Sequence, residues 1–185
     1  MRRIFLDDFN DGRETGIELV QLYGEYPGQE IVTYGIHYNT GDTPTDYPYC
    51  VVPNVGINYS FKKSMFIRVY NWDLFRQLTG AKSISELGIY QYEYDPYGLL
   101  YFGRNTYPRS QYVQASGTIA VSGNWCGDGM ILANAFTKMN PYVIANGKFS
   151  KEFESDLFIS QIKIPSDTQQ GLYSFPLLRV TAVIE

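Results

Sequence analysis

Turn signals punctuate this chain from end to end, and they limit its fold more than any other feature. They are "NDG" at 10–12, "YPG" at 26–28, "NTGD" at 39–42, "DPYG" at 95–98, "CGDG" at 126–129 and "NG" at 146–147. Between them lie short runs rich in Tyr, Phe, Val, Ile and Thr. Gly, Asn, Asp and Pro supply the backbone angles of tight turns. β-Branched and aromatic side chains suit a pleated, half-buried surface. Short strands separated by such turns predict an all-β fold, an antiparallel sandwich of jelly-roll or immunoglobulin-like type. No low-complexity stretch, long charge run or Pro/Ser-rich linker interrupts the 185 residues, so one domain over 1–185 is expected, long enough to bury a core.

Strands are expected at 17–23, 30–38, 57–60, 64–70, 88–94, 99–103, 112–121, 142–149, 157–164 and 175–184. Met65, Ile67 and Val69 alternate with Phe66, Arg68 and Tyr70, and Phe158, Ser160, Ile162 and Ile164 alternate with Ile159, Gln161 and Lys163. A period of two puts one set inside and the other outside. One short helix is expected near 72–79. Asn71 is a good N-cap, Asp73 suits the positive first turn and Gly80 is a good stop. Ser83 and Glu86 have capping-box spacing and predict one further helical turn. Segment 130–139 carries helix-permitting alanines, but its surroundings favour a strand.

The stretch "GIYQYEYDPYGLLYF", 88–102, holds Tyr90, Tyr92 and Tyr94 at every second position. "DPYG" has the residues of a type I turn, so a hairpin is expected. Its Tyr face would carry Tyr90, Tyr92, Tyr94, Leu99 and Tyr101; a one-residue bulge would instead pair it with Leu100 and Phe102.

Most catalytic chemistries lack their residues. His37 is the single histidine, which a Ser-His-Asp or Cys-His arrangement would have to use. Histidine-rich metal sites need more than one imidazole. "DDFNDGRETGIE", 7–18, imitates a calcium loop, but Phe9 stands where a ligand is required. Among 19 acids nothing selects a pair for glycoside hydrolysis. Phosphate-binding Gly loops are absent from the sequence. The chain is therefore read as no enzyme: no catalytic residue, no metal and no cofactor is assigned.

A net charge of −4 argues against a nucleic-acid partner, which wants a basic footprint. No apolar run is long enough to insert in a membrane as a helix. "MRRIFLDDF" carries only Ile4, Phe5 and Leu6 between its arginines and Asp7, too little for an export signal. Synthesis and retention in the cytoplasm are expected, unless the chain leaves as part of a larger particle. Cys50 and Cys126 are buried small apolar residues in a reducing compartment, or one bridge in a secreted domain.

Aromatic residues make up 16% of the chain, led by 17 tyrosines, and these are the candidate binding residues. The ordinary role of the Tyr ladder is packing on a neighbouring element. The alternative is recognition, because tyrosine offers a large rigid contact at low entropic cost. The candidates are Tyr90, Tyr92, Tyr94, Tyr97, Tyr101 and Trp125, with Tyr47, Tyr49, Tyr107 and Tyr112 able to join them.

Two resemblances follow from short motifs. "YEYDPYGLLYFGRNTYPRSQYV", 92–113, resembles a hairpin common in small accessory proteins of tailed bacteriophages, found near tail-tip and tail-fibre genes, departing from it at Gly103-Arg104-Asn105, where those proteins often carry Asp-Ser. It implies a β-rich, non-enzymatic virion component, in contact with other tail proteins in multiple copies and in reach of a host-surface glycan or protein. "IKIPSDTQQGLYSF", 162–175, is similar to a segment of lectin domains in chaperone–usher fimbrial adhesins. The spaced cysteines suit that family and the Met-Arg-Arg start does not. It implies a carbohydrate-binding domain at an extracellular fimbrial tip. The virion reading ranks first.

Overall fold

The computed structural model describes residues 1–6, 14–33, 36–39, 41–42, 44, 50–114, 130–171 and 178–185. In chain order the elements are β1 (Arg2–Phe5), β2 (Ile17–Tyr23), β3 (Gln29–Val32), β4 (Ile57–Tyr59), β5 (Lys63–Val69), α1 (Trp72–Thr79), β6 (Ile84–Gln91) and β7 (Leu100–Phe102). Then come β8 (Ile131–Leu132), β9 (Tyr142–Phe149), β10 (Phe153–Glu154), β11 (Phe158–Pro165) and β12 (Leu178–Ile184). One sheet runs β1-β12-β6-β9 and the other β3-β2-β5-β11-β7-β8, with β10 joined to β5 and β4 to β11. All pairings are antiparallel. The expected all-β sandwich is therefore the observed architecture.

The core lies where period-two patterns from both sheets meet. Ile4, Leu87, Ile89, Ile144 and Ala182 come from the first sheet; Met65, Ile67, Val69, Phe102, Phe158 and Ile162 come from the second. Phe102 anchors it, edge-on to Phe158 and within 5.7 Å of the Tyr142 and Phe136 ring centroids.

The second sheet departs from a simple inside/outside alternation. Phe66, on the opposite side of β5 from Met65 and Ile67, is also fully buried. It forms a separate cluster with Val20, Leu22, Leu157 and Tyr112, with Tyr107 packed against it. Two guanidiniums cover its ring, Arg68 at 5.2 Å and Arg109 at 5.1 Å from the centroid. Glu30 and Glu154 each bind both arginines, and Glu18 adds a further bond to Arg68. Burial would raise the Glu30 carboxyl, but hydrogen bonds from Arg68 and Arg109 outweigh it and hold the group below its ordinary value. The clasp ties β3, β10 and the 3-10 turn Arg109–Gln111 to β5. Its members are partly solvated, which limits each bond's contribution. Arg109→Ala is expected to cost about 1 kcal/mol, from lost ion pairs and lost cover on Phe66. Thermal unfolding should show the loss, and it should shrink in high salt.

The helix forms where its caps predict. Asn71 has extended backbone and its side chain accepts from the Leu74 N–H at 3.0 Å. Gly80 closes the helix in the left-handed region at φ 72°. Phe75 is fully buried, whereas Trp72, Leu74 and Leu78 stay half-exposed. The entry turn needs Gly16, with φ +79°: a Cβ there would lie 2.3 Å from the Asn71 carbonyl oxygen.

Several expectations fail for identifiable reasons. The helical turn expected from Ser83 and Glu86 is instead the start of β6, where Ile84 pairs with both Phe149 and Ile184. Ser83 Oγ donates not to a helix but to the Glu185 carboxylate. Segment 130–139 is only briefly strand; Ala133–Ala135 form a 3-10 turn. The strand expected over 30–38 ends at Val32. Tyr112, Val113 and Gln114 are not strand, and the rest of 112–121 lies outside the described residues. β1 was not expected; its four residues gain their order by pairing with β12.

Candidate functional site

The "DPYG" turn forms, but the hairpin does not. β6 ends at Gln91 and belongs to the four-stranded sheet, where its neighbours are β12 and β9. β7 lies in the other sheet, between β11 and β8. The segment 92–99 therefore crosses from one layer to the other. Local turn chemistry predicted a reversal; the competing pairings of Ile89 with Val180 and Tyr142, and of Tyr101 with Gln161 and Leu132, decide otherwise.

Asp95 makes this crossing rigid. Its side chain is 1% exposed, and its two oxygens accept three backbone N–H groups. Oδ1 takes Tyr97 N at 2.9 Å; Oδ2 takes Leu99 N at 2.9 Å and Leu100 N at 3.1 Å. Asn134 reaches across from the 3-10 turn, accepting from Asp95 N at 2.7 Å and donating to Asp95 O at 2.9 Å. Gly98 completes the turn at φ 63°, a conformation that costs other residues more.

The crossing divides the tyrosine ladder. Tyr90 is 1% exposed, packed edge-on against Phe5 at 5.8 Å. Tyr92, Tyr94 and Tyr97 are 53%, 74% and 49% exposed. Arg179 sits over the Tyr92 ring at 5.1 Å. Tyr101 is half-buried, with Lys163 at 6.0 Å from its ring centroid. The expected shared face of Tyr90, Tyr92, Tyr94, Leu99 and Tyr101 is thus absent: β6 ends before Tyr92, and Leu99 enters the core. Trp125, Tyr47 and Tyr49 lie outside the described residues. Tyr112 is buried and donates to Gly24 O at 2.9 Å, while Tyr107 Oη pairs with Ser64 Oγ at 3.3 Å. These two hold the outer cluster on the second sheet.

A second group of polar residues was not anticipated. Lys63 begins β5 in phase with Met65, Ile67 and Val69, so it points into the sandwich, where it is 1% exposed. Its Nζ donates to Asn39 Oδ1 at 2.7 Å and to Gly41 O at 3.0 Å. Asn39 is fully buried; its carbonyl accepts Phe61 N at 2.8 Å. Nearby, Tyr38 Oη and Ser160 Oγ share a hydrogen bond, and Gln161 Nε2 donates to Ser60 O at 2.6 Å. Cys50 carries a free thiol that donates to Tyr38 O at 3.5 Å. Burial pushes the Lys63 ammonium down to about 8, with Asp42 and Cys50 acting in the opposite direction. Burial pushes the Cys50 thiol up to about 11. The sequence signal was the inward phase of Lys63 itself.

His37 is exposed, at the far side of Tyr38 from Asn39 in the chain. Among the described residues no three His, Cys, Asp or Glu side chains come together as metal ligands. Most of the 7–18 loop and Cys126 lie outside the described residues, but Glu18 is engaged by Arg68 in the clasp. Among the described residues no helix is long and apolar enough to cross a membrane. Comparison with family models, with curated proteins and with solved structures yields no match.

Proposed function

We propose that this chain is a non-enzymatic attachment component of a bacteriophage tail, acting through protein or host-surface contacts made by the crossing at 92–97. The observation that carries the reading is the display of Tyr92, Tyr94 and Tyr97. Three rings, each about half to three-quarters exposed, stand within six residues on and just before a turn whose backbone is held by a buried aspartate. A backbone already fixed before contact loses little entropy when a partner covers the rings it carries. Tyrosine hydroxyls at the rim can also hydrogen-bond to a protein or a sugar. The virion setting is supported by the resemblance of the 92–113 motif, now reduced to its turn.

Immunogold microscopy of particles released by the source cells tests the setting. Label on tails is the expected result; label on pili transfers the protein to the fimbrial-adhesin reading, and label on neither rejects both. Changing Tyr92, Tyr94 and Tyr97 together to Ala tests the surface. The triple variant should keep its melting temperature within the change that about 1 kcal/mol produces, because the rings are exposed. It should fall at least tenfold in incorporation into tails or in binding to host cells. Undiminished incorporation and binding would remove the crossing from the contact surface.

A further inference from the structure

We propose that Lys63 and Asn39 join through an intramolecular amide bond between Lys63 Nζ and Asn39 Cγ, with loss of ammonia. Both side chains are buried inside the sandwich, and Nζ already contacts Oδ1, the atom bonded to the carbon it would attack, at 2.7 Å. Holding an amine against a carboxamide in this way replaces a slow bimolecular aminolysis with an intramolecular one.

Each part the reaction needs is in place. Burial favours the uncharged amine, the nucleophilic form. The Gly41 N–H points at Asn39 Oδ1 at 3.4 Å, where negative charge develops as the tetrahedral intermediate forms. Phe61 N binds the Asn39 carbonyl and fixes the residue's backbone. Asp42 acts electrostatically on Lys63 and is the residue the proposal assigns to carry the proton. It is anchored through Oδ2 by Gly24 N at 2.7 Å.

The step balances without an oxidant. Nζ forms a bond to Cγ, the Cγ–Nδ2 bond breaks, and the proton lost by Nζ leaves with Nδ2 as part of ammonia. The product ties the 36–42 segment covalently to β5 and closes a loop between residues 39 and 63. Such a tie suits a component that bears load or meets proteases, because the strand end cannot peel away from the segment that covers it.

Intact mass spectrometry of the purified full chain, held folded at pH 9, decides the matter. The expected mass is lower than that of the sequence by one ammonia. Trypsin should then release residues 14–62 and 63–68 as one branched peptide, since it does not cut after an acylated lysine. Asn39→Ala and Lys63→Met should each retain the unmodified mass. An unmodified wild-type mass overturns the proposal, whether or not the variants fold. So does an ammonia loss that maps elsewhere, for example to a succinimide at Asn146-Gly147. Asp42→Ala should slow the linkage at least tenfold; an unchanged rate removes Asp42 from the step.

Discussion

Asp95→Ala is expected to lower stability by about 4 kcal/mol, a large share of the margin that holds a domain of this size together. The carboxylate is 1% exposed and accepts Tyr97, Leu99 and Leu100 N–H groups, the last two inside the core boundary. Alanine leaves those donors unpaired where water cannot easily replace the acceptor. A buried charged acceptor with several donors is worth more than neutral bonds of the same number. Asp95→Asn keeps one oxygen and should lose roughly half as much. Urea titration of the three chains gives the ranking directly. A midpoint for Asp95→Ala within error of the parent would show that the turn is held by its surroundings instead. The same variant should weaken partner binding beyond what its stability predicts, because Tyr97 loses the bond that fixes its backbone and Tyr92 and Tyr94 lie on the non-strand segment leading into that turn.

That prediction was only half legible in the sequence. The Asp, Pro and Gly of "DPYG" announce a turn through local chemistry, and the turn is there. Whether the flanking strands pair with each other depends on distant residues. Ile89 and Tyr101 each find partners in a different sheet, and no local rule carries that information. Elements with clear local signals were read well: the helix by its Asn71 and Gly80 caps, and strands Ile17–Tyr23 and Tyr142–Phe149 by their β-branched, aromatic and apolar composition between turns. Elements whose order comes from a partner were missed or misread, as with Arg2–Phe5 and the Ser83–Glu86 spacing. The alternation in β5 marked both faces correctly but did not show that both would be covered. Arg68 looks like a solvent-facing residue in the sequence; only the three-dimensional placement of Glu18, Glu30, Glu154 and Arg109 makes it part of a lid.

The tyrosines illustrate the same division. Composition identified them as the unusual feature, and their every-second spacing suggested one common surface. The fold instead gives them three separate tasks. Tyr90 packs behind the first sheet, Tyr112 and Tyr142 anchor loops through buried hydroxyls, and Tyr92, Tyr94 and Tyr97 face solvent. The last group can be covered by a partner without opening the core.

The anchoring tyrosines predict a sharp alkaline limit. Burial raises the Tyr142 and Tyr112 phenols to about 12 and raises Tyr38 as well. Tyr142 Oη donates to Gly103 O at 2.8 Å, a bond the phenolate cannot make. A group whose folded value lies above its unfolded value stabilises fully below the unfolded value, near 10, and ceases to do so as pH rises through the folded one. For Tyr142, a displacement of about two units corresponds to roughly 3 kcal/mol lost between pH 10 and 12. Cys50, raised to about 11, adds to the loss from about pH 9 upward. Lys63 runs the other way. Its folded value is about 8 and its ordinary value 10.5, so its penalty is present in full below 8 and fades as pH climbs toward 10. The expected profile holds level or rises slightly from pH 8 to 9.5, then falls steeply. Where Lys63 is acylated by Asn39 it no longer titrates, and the rise disappears. Tyr142→Phe should cost about 1 kcal/mol at neutral pH, from the lost hydrogen bond, yet decline less between pH 10 and 12. Denaturant midpoints at stepped pH, recorded with tyrosinate absorbance, check this. Tyrosinate from the buried rings Tyr112 and Tyr142 should appear together with unfolding. A single smooth titration at the ordinary phenol value, with the fold intact, would show that the buried hydroxyls do not set the limit.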